Sequence, residues 1–163
     1  MSSATSWLPN IITLDEFGGD WEKYINSVYQ VFERDFVESK PLFRGREIRL
    51  KYSRSPFDKE PTFWHIIQSG DTEDERTPDF RRCERVPWIR AIIEHEQEPK
   101  IKVWPQERNN ETRVALWFEE EEYIVILAKR GKFWVLWTAF LITSARQKRR
   151  FQKEYEQNHL KPI

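Results

Sequence analysis

Cysteine is almost absent: Cys83 is the single one in 163 residues, which excludes an internal disulfide and a cysteine-built structural zinc site and fits a reducing cytoplasm. Net charge is absent too. Lys+Arg and Asp+Glu each total 27, so the chain as a whole exerts no pull on nucleic acid or anionic membranes, and any basic surface has to be local. The longest apolar run, residues 133–142, is interrupted by Thr138 and falls short of the roughly 20 residues that a membrane helix needs. No basic segment followed by an apolar stretch opens the chain, so no secretory signal is visible. Metal-ligand clusters, phosphate loops, nucleophile elbows, internal repeats and low-complexity linkers are all missing. These absences lead us to expect a soluble cytoplasmic protein with no membrane partner, no metal and no cofactor.

The chain does hold enough apolar and aromatic material, 39% and 15% of residues, to build a core. The fold reads most clearly in the last third, where residues 113–118, 123–128 and 133–140 form three strands joined by short turns. Tyr-Ile-Val-Ile-Leu-Ala and Phe-Trp-Val-Leu-Trp-Thr-Ala-Phe are apolar on both alternating faces, as in strands covered on both sides. Upstream, Asp20 caps a helix whose Trp21, Tyr24, Ile25, Val28, Phe32 and Phe36 follow helical spacing. Residues 46–52 alternate as a half-buried strand near a sheet edge, 53–61 read as a loop, and 62–68 as a short helix ending at Ser69-Gly70. A solvated acidic loop follows at 71–76. A helix opens at Thr77-Pro78-Asp79, and Pro87 must kink or divide it. Residues 100–104 suit an outer strand, 105–111 a charged loop, and 144–157 a basic helix. The expectation is one α+β domain over 1–163, with an antiparallel sheet of about four strands and N-terminal and C-terminal helices packed on it. Within it, 1–61 form a helical and strand extension, 62–143 the core and 144–163 the basic helix.

Four sets of residues invite a chemical reading. His65 exchanges protons near neutral pH more readily than any other side-chain type, yet its setting, Thr-Phe-Trp-His-Ile-Ile, equally suits a half-buried histidine bonded to backbone. Arg81, Arg82 and Arg85 are spaced around one helical turn so that they can grip a phosphate from several directions; the competing reading is a solvated face paired to Glu84. Cys83, between them, reads as core. If Arg130-Gly131 is a two-residue hairpin turn, Tyr123 faces Thr138 on the side of Val125, Leu127, Trp134 and Leu136, and the threonine hydroxyl needs a partner there. Finally Arg146, Lys148, Arg149, Arg150 and Lys153 crowd into one stretch, a local footprint for RNA or an acidic protein, or a solvated helix exterior. Lys100, Lys102 and Arg113 lie where they can extend it.

The segments Thr62-Phe63-Trp64-His65-Ile66-Ile67 and 123–128, turn, 133–140, ending in Trp137-Thr138-Ala139-Phe140, together resemble the phage-associated branch of the barnase/EndoU/colicin/RelE-type ribonuclease fold. That resemblance implies N-terminal helices before a small antiparallel sheet and metal-independent RNA transesterification. It also implies the setting of a toxin of a toxin–antitoxin or mobile-element system, with RNA and an antitoxin or other protein as partners. Residue by residue, His65 matches the helix-borne histidine, Arg82 lies in the helix that supplies a phosphate-binding arginine, and Thr138 matches the hydroxyl near the end of the last strand. Arg81, Arg85, Lys102, Arg113, Arg146 and Arg149 are then the expected RNA contacts. The chain departs from the smaller toxins in its long 1–61 region and its neutral charge. The rival expectation is a module that binds nucleic acid or protein without turnover, which exposed aromatic side chains would favour.

Overall fold

The computed structural model describes residues 6–50, 61–70 and 75–163. Its first long element, α1 (Trp21–Phe36), starts at Asp20, whose carboxylate accepts from the Lys23 amide at 3.2 Å. Tyr24, Ile25, Val28, Tyr29, Phe32 and Phe36 recur every three or four residues, so one face of the helix is buried. The chain then turns through Arg44 and Gly45, both at positive φ, between β1 (Leu42–Phe43) and β2 (Arg46–Leu50). Tyr52 and most of the loop at 53–61 lie outside the described residues, as does the start of the acidic stretch at 71–76.

A short helix, α2 (Pro61–Ile67), runs into β3 (Gln68–Ser69), which pairs with β4 (Thr77–Pro78) in a two-stranded ribbon. Gly70 is required there, because a Cβ at that position would lie 2.7 Å from the Glu75 carbonyl oxygen. Asp79 caps α3 (Phe80–Glu84) by accepting from the amides of Arg81 and Arg82. Pro87 divides rather than kinks the helical stretch. A second helix, α4 (Val86–Glu94), begins with that proline in its first turn, where the missing N–H costs nothing.

Among the described residues the main sheet has six strands in the order β1-β2-β8-β7-β6-β5, where β5 is Ile101–Arg108, β6 Glu111–Phe118, β7 Tyr123–Arg130 and β8 Phe133–Leu141. The class is α+β as expected, but the sheet is larger and mixed. β2 runs parallel to β8, a pairing that needs the helical crossover between them and that no local pattern announces. The strand expected at 100–104 continues to Arg108, so 105–108 are not loop. Pro105 is tolerated because β5 is an edge strand. The hairpin turn lies at Asn109-Asn110, both at positive φ, a conformation that asparagine tolerates.

Two apolar layers sandwich the sheet. On the inner face, residues of α1 to α4 pack against Ile48, Val114, Leu116, Phe118, Tyr123, Val125, Leu127, Trp134, Leu136 and Ala139. On the outer face, Trp104, Ala115, Trp117, Ile124 and Ile126 meet Phe151 and Tyr155 of α5 (Ala145–Asn158). Helix α5 begins at Ser144, whose hydroxyl accepts from the Gln147 amide, and lies against β5. It is pinned by Glu154, whose carboxylate accepts from Trp104 Nε1 at 3.1 Å, Gln106 Nε2 at 2.9 Å and Arg108 Nη2 at 2.7 Å. Burial alone would raise the Glu154 carboxyl, but the three donors and the Arg108 charge outweigh it and hold it below its ordinary value.

Candidate nucleic-acid interface

The hairpin β7–β8 decides which side each polar group of the last strand serves. Its turn is Gly131-Lys132, one residue later than Arg130-Gly131, since Arg130 pairs with Phe133. Gly131, at φ +58, takes the left-handed position. From there the pairs run Lys129 with Trp134, Ala128 with Val135 and Leu127 with Leu136, and then the register shifts, so that Ile126 faces Thr138 and Tyr123 faces Leu141. Trp137 is the extra residue of a β-bulge. A bulge moves every later residue by one position, and the side-chain period is two, so the residues beyond Trp137 change face. Trp134 and Leu136 remain on the inner side with Tyr123, Val125 and Leu127, as expected. Thr138 does not: it stands opposite Ile126, on the outer face.

That shift separates the three residues singled out for catalysis. His65 sits half-buried on α2, which lies against β8 from the inner side. The last turn of α2 is tied down by Arg76, whose guanidinium donates to the carbonyls of His65 at 2.7 Å and Gln68 at 2.6 Å. Arg82 on α3 donates to the same Gln68 carbonyl at 2.9 Å. Two guanidinium groups thus satisfy carbonyls at the end of a helix, where cations are favoured. The Arg82 group is desolvated enough that its pKa is lowered. It also reaches the rim of β8, its guanidinium carbon 5.5 Å from the Phe140 ring. Thr138 projects on the other side of the sheet.

The six residues expected to touch RNA divide in the same way. Arg81 and Arg85 belong to the inner helical layer, where Arg85 pairs with Glu84 at 3.1 Å and lies over Trp88. Lys102 and Arg113 stand on the outer face, at register positions opposite Trp117 and Gln106. Arg146 and Arg149 are exposed on α5, on that same side. Neither they nor Lys153 makes an ion pair among the described residues. Lys102 is held by Glu119 at 2.7 Å and by Gln152.

The half of the outer face nearest β8 and β2 has a composition of its own. Phe133, Trp137, Thr138 and Phe140 are all half-buried there rather than covered. Guanidinium groups lie on their rings. Arg49 is 4.2 Å from the centroid of Phe133, Arg113 4.3 Å and Arg130 5.8 Å from that of Trp137. The Arg113 and Arg130 groups share one carboxylate, Glu111, with Arg113 Nε at 2.8 Å and Arg130 Nη1 on the other oxygen. Arg49 pairs with Glu47 at 3.1 Å. The Thr138 hydroxyl has no hydrogen-bond partner among the described residues.

Flat rings, guanidinium planes and a hydroxyl on one strand-built surface form a platform for planar ligands carrying negative charge. Arg49 and Arg130 were not among the expected contacts. In the sequence Arg49 stands on the polar side of an alternating strand and Arg130 beside the Gly131 turn, but the pairing of β2 with β8 that brings Arg49 to this face is long-range. Among the described residues no three His, Cys, Asp or Glu side chains gather as ligands for a metal ion, and no helix is long and apolar enough to cross a membrane. Comparison with family models, with curated proteins and with solved structures finds no match to this chain.

Proposed function

We propose that the protein binds single-stranded RNA on this outer face. Bases stack against Phe133, Phe140 and the guanidinium planes of Arg49, Arg113 and Arg130, and Arg146, Arg149 and Lys153 of α5 supply phosphate contacts on the same side of the sheet. The observation that carries this reading is the concentration of three arginine–aromatic contacts on the part of the sheet away from α5. Stacking on such groups is worth about 1–3 kcal/mol per base and tolerates any sequence. A duplex hides its base faces, so a strand-built platform of this kind selects unpaired nucleotides. Thr138, with its unpartnered hydroxyl in the middle of the platform, is positioned to bond a ribose 2′-hydroxyl and so to favour RNA over DNA.

Fluorescence anisotropy with a labelled oligouridylate of about twelve nucleotides, a length within single-strand site sizes, tests this directly. Binding should weaken roughly tenfold in each of R49A and R113A, in keeping with one lost stack, and T138V should narrow the preference over the matching DNA. Failure of the wild type to bind at about 50 mM salt, where phosphate contacts are strongest, would remove the proposal.

A second reading, metal-independent cleavage by His65, Arg82 and Thr138, draws on one observation: the Arg82 guanidinium reaches the Phe140 ring, two residues from Thr138. A phosphate beside Phe140 would lie near a cation able to stabilise a pentacoordinate transition state. Incubating the bound RNA in EDTA and sequencing its ends discriminates the two. New ends carrying 2′,3′-cyclic phosphate, lost in H65A and R82A, would establish turnover; intact RNA in a complex that binds would leave recognition alone.

A further inference from the structure

Glu111 opens β6 with its carboxylate held from two sides. Its two carboxylate oxygens are divided between two arginines, Oε1 with Arg113 Nε at 2.8 Å and Oε2 with Arg130 Nη1. Both arginines reach the same Trp137 ring, at 4.3 Å and 5.8 Å. The carboxyl is little exposed, at 19% of its side chain. Burial works to raise its pKa, but the hydrogen bond from Arg113 and the charges of Arg130 and Arg113 lower it overall, so it stays ionised through the neutral range. A planar anion with one oxygen on each of two guanidinium groups, beside an aromatic ring, has the donor arrangement that arginine pairs offer to a phosphodiester.

We propose that Glu111 occupies the position of an RNA phosphate, and that binding proceeds by exchange of this carboxylate for a backbone phosphate of the incoming strand. The inference rests on the RNA-binding reading and specifies how that surface is kept closed when no RNA is bound. The exchange conserves hydrogen bonds: Arg113 Nε–H and Arg130 Nη1–H leave the carboxylate oxygens and donate to two phosphate oxygens. Glu111, at the first position of β6 beside the Asn109-Asn110 turn, then turns its carboxylate to solvent. The occupying carboxylate also explains how a chain of zero net charge keeps a cluster of arginines from binding anions indiscriminately, since every ligand must outcompete a resident one.

E111Q keeps the shape and one acceptor but removes the charge, so it is the variant to measure in the full chain. With the labelled oligouridylate, E111Q should bind at least tenfold more tightly than wild type. The slope of log affinity against log salt should change by less than about 0.7, the value for one phosphate on a single strand, because the same phosphate is engaged in both proteins. E120Q removes an equal charge from the turn beside Lys100 and should change binding less than about twofold, since exposed charges beyond a Debye length are screened. In wild type, the Arg113 and Arg130 side-chain N–H resonances should shift on adding RNA. Unchanged or weaker binding by E111Q, or an equal gain in E120Q, would overturn the exchange while leaving the RNA surface standing, provided R113A still weakens binding. No binding by wild type and E111Q alike would defeat the surface itself. A thermal melt of E111Q at the same salt verifies that both proteins are folded when compared.

Discussion

Cys83 shows how one residue resolves between two chemistries. With Arg82 beside it and Arg85 two residues on, it has cationic neighbours in sequence of the kind that activate a thiol, yet it is fully buried and its thiol is pushed up to about 12, first by desolvation and then by the negative charge of Asp79. It should therefore remain unmodified when native protein is held with a thiol-reactive disulfide dye at neutral pH, and react promptly once urea exposes it. Fast labelling of the native state would contradict the burial. Glu154 resolves in the opposite direction, a charged residue serving the core. Replacing it by alanine strands Trp104 Nε1 and Gln106 Nε2 and should cost about 2–3 kcal/mol, visible as a lower urea midpoint. Its folded pKa lies below the ordinary glutamate value of about 4.3, as does that of Glu111. The stabilisation these groups contribute is thus complete above that ordinary value and is lost as pH falls through the lowered folded values. A stability profile flat from neutral pH down to about 5 and falling steeply below about 4 is the expected outcome; one that falls between about 7 and 6 would assign the acid response to histidine instead.

At the scale of elements, caps and turns carry much of the local specification. Ser144 is the N-cap of α5, and S144A should lower stability by about 1 kcal/mol with an unchanged denaturant slope. The Asn109-Asn110 turn places both residues at positive φ, and N110G, which removes the Cβ penalty there, should raise stability by a few tenths of a kcal/mol, a rise of about 1 °C in melting temperature. A fall in either property on N110G would show that the asparagine side chain itself supports the turn. The bulge at Trp137 sets the face of every residue after it in β8. Without it, β8 would continue its two-residue alternation, Thr138 would join Trp134 and Leu136 beneath the helices, and the outer platform would lose its hydroxyl.

For the molecule as a whole, neutral charge and a local cluster of arginines make opposite demands on binding. Long-range steering is weak when net charge is zero, so association should be slow relative to that of basic RNA-binding domains, and affinity should come from contacts formed at the surface. About four phosphate contacts would give a salt slope near −3 for a single strand. A slope near zero would point to a platform that stacks bases without engaging phosphate. The inner face, where α1 to α4 close over the sheet, presents Arg81, Arg82 and Arg85 on a different side. Alanine at Arg81, which is largely exposed, should leave RNA affinity unchanged, and that contrast with R113A separates one face from the other in a single titration.

Elements whose signals are local were legible in the order of the amino acids. Spacing every three or four residues placed α1, runs of apolar residues placed β6, β7 and β8, and Pro87 marked the division between α3 and α4, because helix period, strand period and a missing amide act within a few residues. The packing of Cys83 in the core was legible in the same way. The parallel pairing of β2 with β8, the extension of β5 through Pro105 and the side on which Thr138 emerges were settled by the folded sheet. Each of these depends on which strands are neighbours and on a register offset of one residue. An offset of that size leaves composition and periodicity untouched while reversing the face of every side chain beyond it. The candidate site was half legible for the same reason: Lys102, Arg113, Arg146 and Arg149 could be read as basic residues near the last strands. That Arg49, Arg130 and Glu111 join Arg113 around Phe133 and Trp137 depends on strand pairings that bring together residues far apart in the chain.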